Sequence, residues 1–190
     1  MTIDPVYATA AQAGMAVVVL LGAVAKWRRP AAFRDAVANY RVLPDALVAP
    51  ASLAIMAAET GGAAALLFPD TRAIGAAVLV ALMLAFAAGL AFNILRGHTD
   101  IDCGCAGFGA ARTATQTQAD APRGIGWLHV ARTLLFAALA ATAFIEPAAR
   151  PIVWFDYVTL FFSVLLVACA LVVVDALLAN VPRLAHLRNS

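Results

Sequence analysis

Five long apolar runs decide what this chain can fold into. They cover residues 6–24, 46–68, 73–95, 127–145 and 153–178. Each approaches the ~20 apolar residues that a helix needs to cross ~30 Å of hydrocarbon. Backbone groups in lipid must be satisfied within the segment, so uninterrupted runs of this length form helices rather than barrel strands. The expected fold is an all-α integral membrane helix bundle of about five transmembrane helices. The second run carries Pro44 and Pro50, which puts the start of its helix near Ala51.

Composition closes the soluble alternative. Of 190 residues, 64% are hydrophobic and 13% charged, with a mean hydropathy of +0.89. A soluble domain carries roughly 25% charge, and a globule this small cannot hide so much apolar surface. The net charge of +2 says nothing for nucleic acid, because the basic residues flank the spans instead of forming a patch. Ala23–Lys26 looks like a signal-peptidase site. The N-terminal MTIDP lacks Lys and Arg and carries Asp4, the opposite of a signal peptide, so the first span reads as retained. No long-period repeat or separate soluble domain is visible, and residues 1–190 read as one transmembrane domain.

Five spans put two long connections, 25–45 and 96–126, on one face with the C-terminus, and two short ones on the other with the N-terminus. In the first long connection, Phe33, Val37 and Tyr40 recur at helical spacing, with Arg34, Asp35 and Arg41 off the stripe. This is an interfacial amphipathic helix, either a cap over the bundle or a docking site for a partner. The polar residues of the spans gather toward the same face: Lys26, Glu59, Asn93, Arg96, His129, Arg132 and Asp175. Glu59 is expected about 12 Å below it. Glu59 and Arg132 should face the bundle interior and pair, because a bare charge in hydrocarbon is costly. The pair is either a structural lock on helix register or part of a polar pocket, which would serve a proton relay or the head group of a lipid-soluble redox carrier.

Two of the three cysteines, Cys103 and Cys105, sit in the run IDCGCAGFG of the second long connection. Three readings fit them. One is a redox dithiol, in which a thiolate attacks a disulfide and the neighbouring thiol resolves the mixed intermediate. A bridge across one residue closes a very small ring and departs from relaxed geometry, which favours the reduced form. Gly104 lets the backbone fold tightly; Asp102 raises the thiol pKa, and Arg96 offsets it. The second reading is a metal site completed by His98, Asp102 or His129, although no second Cys or His pair at ligand spacing is present. The third is chance. Cys169, amid apolar residues in the fifth span, reads as packing.

The chain as a whole resembles the methylamine utilisation MauE family, within the broader DoxX-like group of small membrane proteins. The resemblance rests on AKWRRPAAFRDAVANYRVLP (25–44), Glu59-Thr60-Gly61, AFNILRGHTDIDCGC (91–105) and HVARTLL (129–135). The family's Cys-Gly-Cys-Phe-Gly run is interrupted here, because Ala106 and Gly107 stand before Phe108. The resemblance implies a DoxX-like four-helix core plus one helix. It also implies a membrane redox or maturation factor, as a thiol–disulfide oxidoreductase or an accessory factor. Its client would be the disulfide-rich periplasmic β (small) subunit of methylamine dehydrogenase, and its partner a thioredoxin-like protein of the MauD kind.

On that reading Cys103 and Cys105 carry the chemistry, and Lys26, Glu59, Asn93, Arg96, Asp102 and Arg132 shape the pocket beneath. A membrane quinone is a candidate cofactor, and no metal is required. The alternative is a small transporter or quinone-binding membrane protein with incidental cysteines. The implied client puts the protein in the inner membrane with its cysteine loop in the periplasm. The positive-inside count points the other way, with ten basic residues on the cysteine face and two, Arg72 and Arg150, on the other.

Overall fold

A computed structural model describes residues 3–101, 124–146, 148 and 153–188, with the side chains at 171–172 and 175–188 excluded. The described residues form six α-helices: α1 (Pro5–Arg28), α2 (Pro30–Asn39), α3 (Asp45–Leu66), α4 (Arg72–Leu95), α5 (Trp127–Ala141) and α6 (Trp154–Arg188). A single 3₁₀ turn, Thr142–Phe144, extends α5. Four helical segments are long and apolar enough to cross a membrane: α1, α3, α4 and α5 with its 3₁₀ turn. The described apolar part of α6, Trp154–Ala170, is shorter. The protein is an all-α membrane helix bundle.

Local chemistry sets the helix ends. The Asp4 carboxylate accepts a hydrogen bond from Val6 N at 2.9 Å, with Pro5 in the first turn, which caps α1. In α6 the bond runs the other way along the chain: Asp156, in the first turn, reaches back to accept from Val153 N, just before the helix. Gly97, at φ 74°, closes α4. Its N–H donates to the Ile94 carbonyl and that of His98 to Asn93 O, the pair of bonds that a left-handed glycine makes available. The expected start of α3 near Ala51 is corrected: the helix begins at Asp45, with Pro44 as its N-cap and Pro50 inside it. Pro50 is the sixth residue of α3, and the Ala46 carbonyl that it leaves without a helical donor belongs to an exposed residue near the helix start, so the missing bond is tolerated.

The helices α3, α4 and α5 each bury one stripe and turn the rest outward, while α1 is buried on more of its sides. In α3 the buried stripe runs Val48, Ser52, Met56, Glu59, Gly62, Ala63 and Leu66. In α4 it runs from Gly75 and Ala76 through Leu79, Met83, Ala87 and Leu90 to Asn93. The core joins Met15, Ala16, Val18 and Val19 of α1 to Leu66, Leu79, Met83 and Phe136. Leu21, Leu53, Ile74, Leu84, Leu134, Leu135, Phe161 and Leu166 are exposed, an outer coat suited to lipid. Cys169 also lies on this exposed surface rather than in the core.

Exposed aromatics mark both ends, as at membrane–water boundaries. Trp27 and Trp127 stand at one end; Tyr7, Trp154 and Tyr157 stand at the other. Ile3 and Ala148 exchange a backbone bond (Ala148 N to Ile3 O, 2.8 Å), which fixes the N-terminus beside the connection after α5.

At that end α3 and α4 approach closely. A Cβ built on Gly75 would lie 2.5 Å from Leu66 N and 2.7 Å from Gly62 O, both backbone atoms. Gly61 points into open space. Gly75→Leu is therefore expected to destabilise the bundle by about 1–3 kcal/mol or more, and Gly61→Leu to leave it within about 0.5 kcal/mol. Denaturation in detergent micelles compares the two; equal losses would refute the close approach.

Candidate functional site

The helices end at staggered heights, and this builds the site. Lys26 lies two residues from the end of α1, whereas α3 continues fourteen residues from Glu59 to Asp45, about 21 Å along its axis. The step above α1 is filled by α2. Phe33 and Ala36 of α2 are buried and Val37 and Tyr40 half-buried, while Arg34 and Asp35 face outward. The stripe expected from sequence is the face that packs on the bundle, and α2 is a cap.

Beneath that cap, Lys26 Nζ donates to Glu59 Oε1 at 2.5 Å. The ammonium also lies 5.1 Å from the Phe33 ring centroid and 5.9 Å from that of Phe86. One cation thus ties α1 to α2, α3 and α4. The next residue along each helix repeats the link: Trp27 Nε1 donates to Thr60 Oγ1 at 3.0 Å. Glu59 is 2% exposed, and its second oxygen, Oε2, is buried with no hydrogen-bond partner among the described residues.

Glu59 occupies a core position of α3, so its charge must be met inside the protein. The partner expected from sequence was Arg132; the structure gives Lys26 instead. Arg132 stacks on Phe136 at 5.0 Å and lines the same cavity. That cavity, of about 40 Å³, lies among α1, α3, α4 and α5. Its walls are Val18, Val19, Gly22 and Lys26 of α1, Glu59 of α3, Met83 and Phe86 of α4, and Arg132, Thr133 and Phe136 of α5. Two cations and one carboxylate meet there.

Asn93 and Arg96, expected in the same pocket, form a separate cluster at the end of α4. Asn93 is fully buried. Its Nδ2 donates to Gly89 O at 2.9 Å, and its Oδ1 accepts from Arg96 at 2.9 Å and lies 3.2 Å from His98 Nδ1. Arg96 also donates to the Tyr40 carbonyl at 2.8 Å, which fastens the end of α2 to the end of α4.

Asp102, Cys103 and Cys105 lie outside the described residues, as does the side chain of Asp175. The flanks of the cysteine segment are described. Ile125 N donates to Thr99 O at 2.9 Å. Ile101 and Ile125 are both buried with Leu90 and Val130, and Tyr40 packs against them. The segment therefore leaves and rejoins the bundle at one place, the end capped by α2. Among the described residues no group of three or more His, Cys, Asp or Glu forms a metal site.

This fold and site define a multi-pass membrane protein with its intramembrane charges turned inward around a small cavity. The chain belongs to the family of methylamine utilisation protein MauE, whose model matches residues 4–146, from α1 through α5. The MauE of Methylophilus methylotrophus is 38% identical over 137 residues, covering 72% of this chain and 67% of that one. The MauE of Paracoccus denitrificans is 35% identical over 150 residues, covering 78% and 75%. The Methylorubrum extorquens protein is 32% identical over 155 residues, covering 78% and 76%. No solved structure matches the chain.

Removing one member of a buried pair strands the other charge. Lys26→Met or Glu59→Leu alone is expected to cost about 3–5 kcal/mol, and the double replacement to recover most of it. Denaturation of the three variants in micelles measures the coupling; additive losses would mean that the two side chains do not stabilise each other. Arg96→Ala should leave the bundle folded but make α2 more open to proteolysis, by about tenfold for a charged hydrogen bond. Limited digestion followed by mass spectrometry reads this at Arg34 and Arg41.

Proposed function

We propose that this chain serves methylamine utilisation as a membrane redox and maturation factor, with Cys103 and Cys105 as an exchanging dithiol. The observation that carries the reading is the Cys-Gly-Cys pair of a MauE family member, in a segment whose two flanks are bonded together at the capped end of the bundle. A thiolate of the pair attacks the disulfide of a thioredoxin-like partner, giving a mixed disulfide and one partner thiolate. The second cysteine then displaces the partner. The pair ends as a disulfide and the partner as a dithiol, and the reverse sequence returns two electrons and two protons to the pair. The client is the β (small) subunit of methylamine dehydrogenase.

On this reading the cysteine segment faces the periplasm. Two of the ten basic residues on that face are not free loop charges: Lys26 is bound to Glu59, and Arg96 to Asn93 and the Tyr40 carbonyl. That lowers the weight of the positive-inside count without reversing it.

Thiol alkylation on membranes tests the dithiol. The pair should react with a maleimide only after reduction in cells that contain the partner, and Cys103→Ser/Cys105→Ser should abolish client maturation. Equal labelling with and without reductant, together with normal maturation in the double variant, would overturn the proposal. An impermeant maleimide on intact cells should label the reduced pair. If instead Glu59→Ala abolished function and Cys103→Ser did not, the activity would belong to the cavity.

A further inference from the structure

The cavity around Glu59 makes an unmet chemical demand. Glu59 Oε2 is a buried acceptor with no donor among the described residues. A buried acceptor of this kind loses the full desolvation penalty unless something donates to it. Across the same small space stand the ammonium of Lys26 and the guanidinium of Arg132, both obligate donors that favour an acceptor. One small group answers the carboxylate in this setting: an O–H that donates to Oε2, with its oxygen on the side of the two cations.

Space and access agree. A cavity of about 40 Å³ exceeds the 10–15 Å³ that one water needs, and it has the two or more polar partners that hold water in place. It has room for a hydroxyl. Gly22 lies in its wall, and a Cβ built there meets nothing within 4 Å, so one side is kept open by a missing side chain. Apart from Thr133, the other wall residues, among them Met83, Phe86 and Phe136, are apolar or aromatic and suit the hydrophobic body of a ligand whose hydroxyl is inside.

We propose that Lys26, Glu59 and Arg132 form a binding site for a hydroxyl group, entered past Gly22 and supplied either by water or by a phenol-type molecule dissolved in the membrane. The site is independent of the cysteines: it requires no thiol, and its failure would leave the alkylation results above untouched.

The test uses the full chain in nanodiscs, with phenol as the probe and anisole, which lacks the O–H donor, as its control. Gly22→Leu closes the cavity, Glu59→Gln alters the acceptor, and Gly61→Leu controls for an added side chain in open space elsewhere. If the hydroxyl comes from a membrane-dissolved molecule, phenol raises the unfolding temperature saturably. Anisole then acts at least about tenfold more weakly, because the bond to a charged group is lost. The phenol effect disappears in Gly22→Leu and Glu59→Gln but survives in Gly61→Leu. If the hydroxyl is water, phenol gives no saturable shift, and a high-resolution experimental structure shows ordered water between Glu59 Oε2 and Arg132 that Gly22→Leu expels. A dry cavity with no saturable phenol effect overturns the proposal. So does an equal response to phenol and anisole.

Discussion

The contact between Lys26 and Glu59 organises this bundle. A carboxylate in the apolar stripe of α3 is untenable unless a cation reaches it, and the end of α1 delivers that cation. Satisfying the charge fixes how far α1 climbs relative to α3, because a slip of one turn would separate the two groups by about 5.4 Å. Lipid cannot supply this selectivity, since hydrocarbon contacts are alike at every register. The ammonium also faces Phe33 and Phe86, so the same group positions the cap and α4. A buried pair of this sort contributes little net stability over an apolar core and a great deal to uniqueness.

The two ends of the bundle are built by different means. At the N-terminal end, Gly62 and Gly75 bring α3 and α4 together, and close packing is joined by the bond from Thr71 Oγ1, at the start of α4, to Ala65 O of α3. At the other end the helices diverge in length, and polar bonds do the fastening. Arg96 reaches from α4 to the end of α2, and Asn93 knits the glycine-terminated turn beneath it. Tight small-residue packing suits a rigid base. The other end holds charges, a cap and a cavity.

Much of this could be read from the chain. Run length and apolarity place the membrane helices, and the spacing of Phe33, Val37 and Tyr40 gives both the helix and its inward face. The partner of Glu59 was not legible. Arg132 sits deeper within its apolar run than Lys26 and so looked the better match, but the choice depends on how far α1 and α3 are offset, which spacing along one helix does not encode. The same offset explains why Asn93 and Arg96 fall outside the cavity: α4 continues past the end of α1 and carries them beyond it. The start of α3 was missed because Pro50 reads locally as a breaker, and its tolerance depends on lying near the exposed start of the helix. Cys103 and Cys105 stand out in sequence through contrast with their surroundings, a signal of composition that carries no geometry.

The bond between Thr99 and Ile125 has an evolutionary corollary. Because α4 and α5 are already joined at that point, the intervening chain closes on a short base and leaves the helices where they are. Doubling such an insertion adds only about 0.6 kcal/mol of closure entropy. Selection can therefore lengthen, shorten or rewrite the cysteine-bearing segment while the membrane scaffold stays as it is.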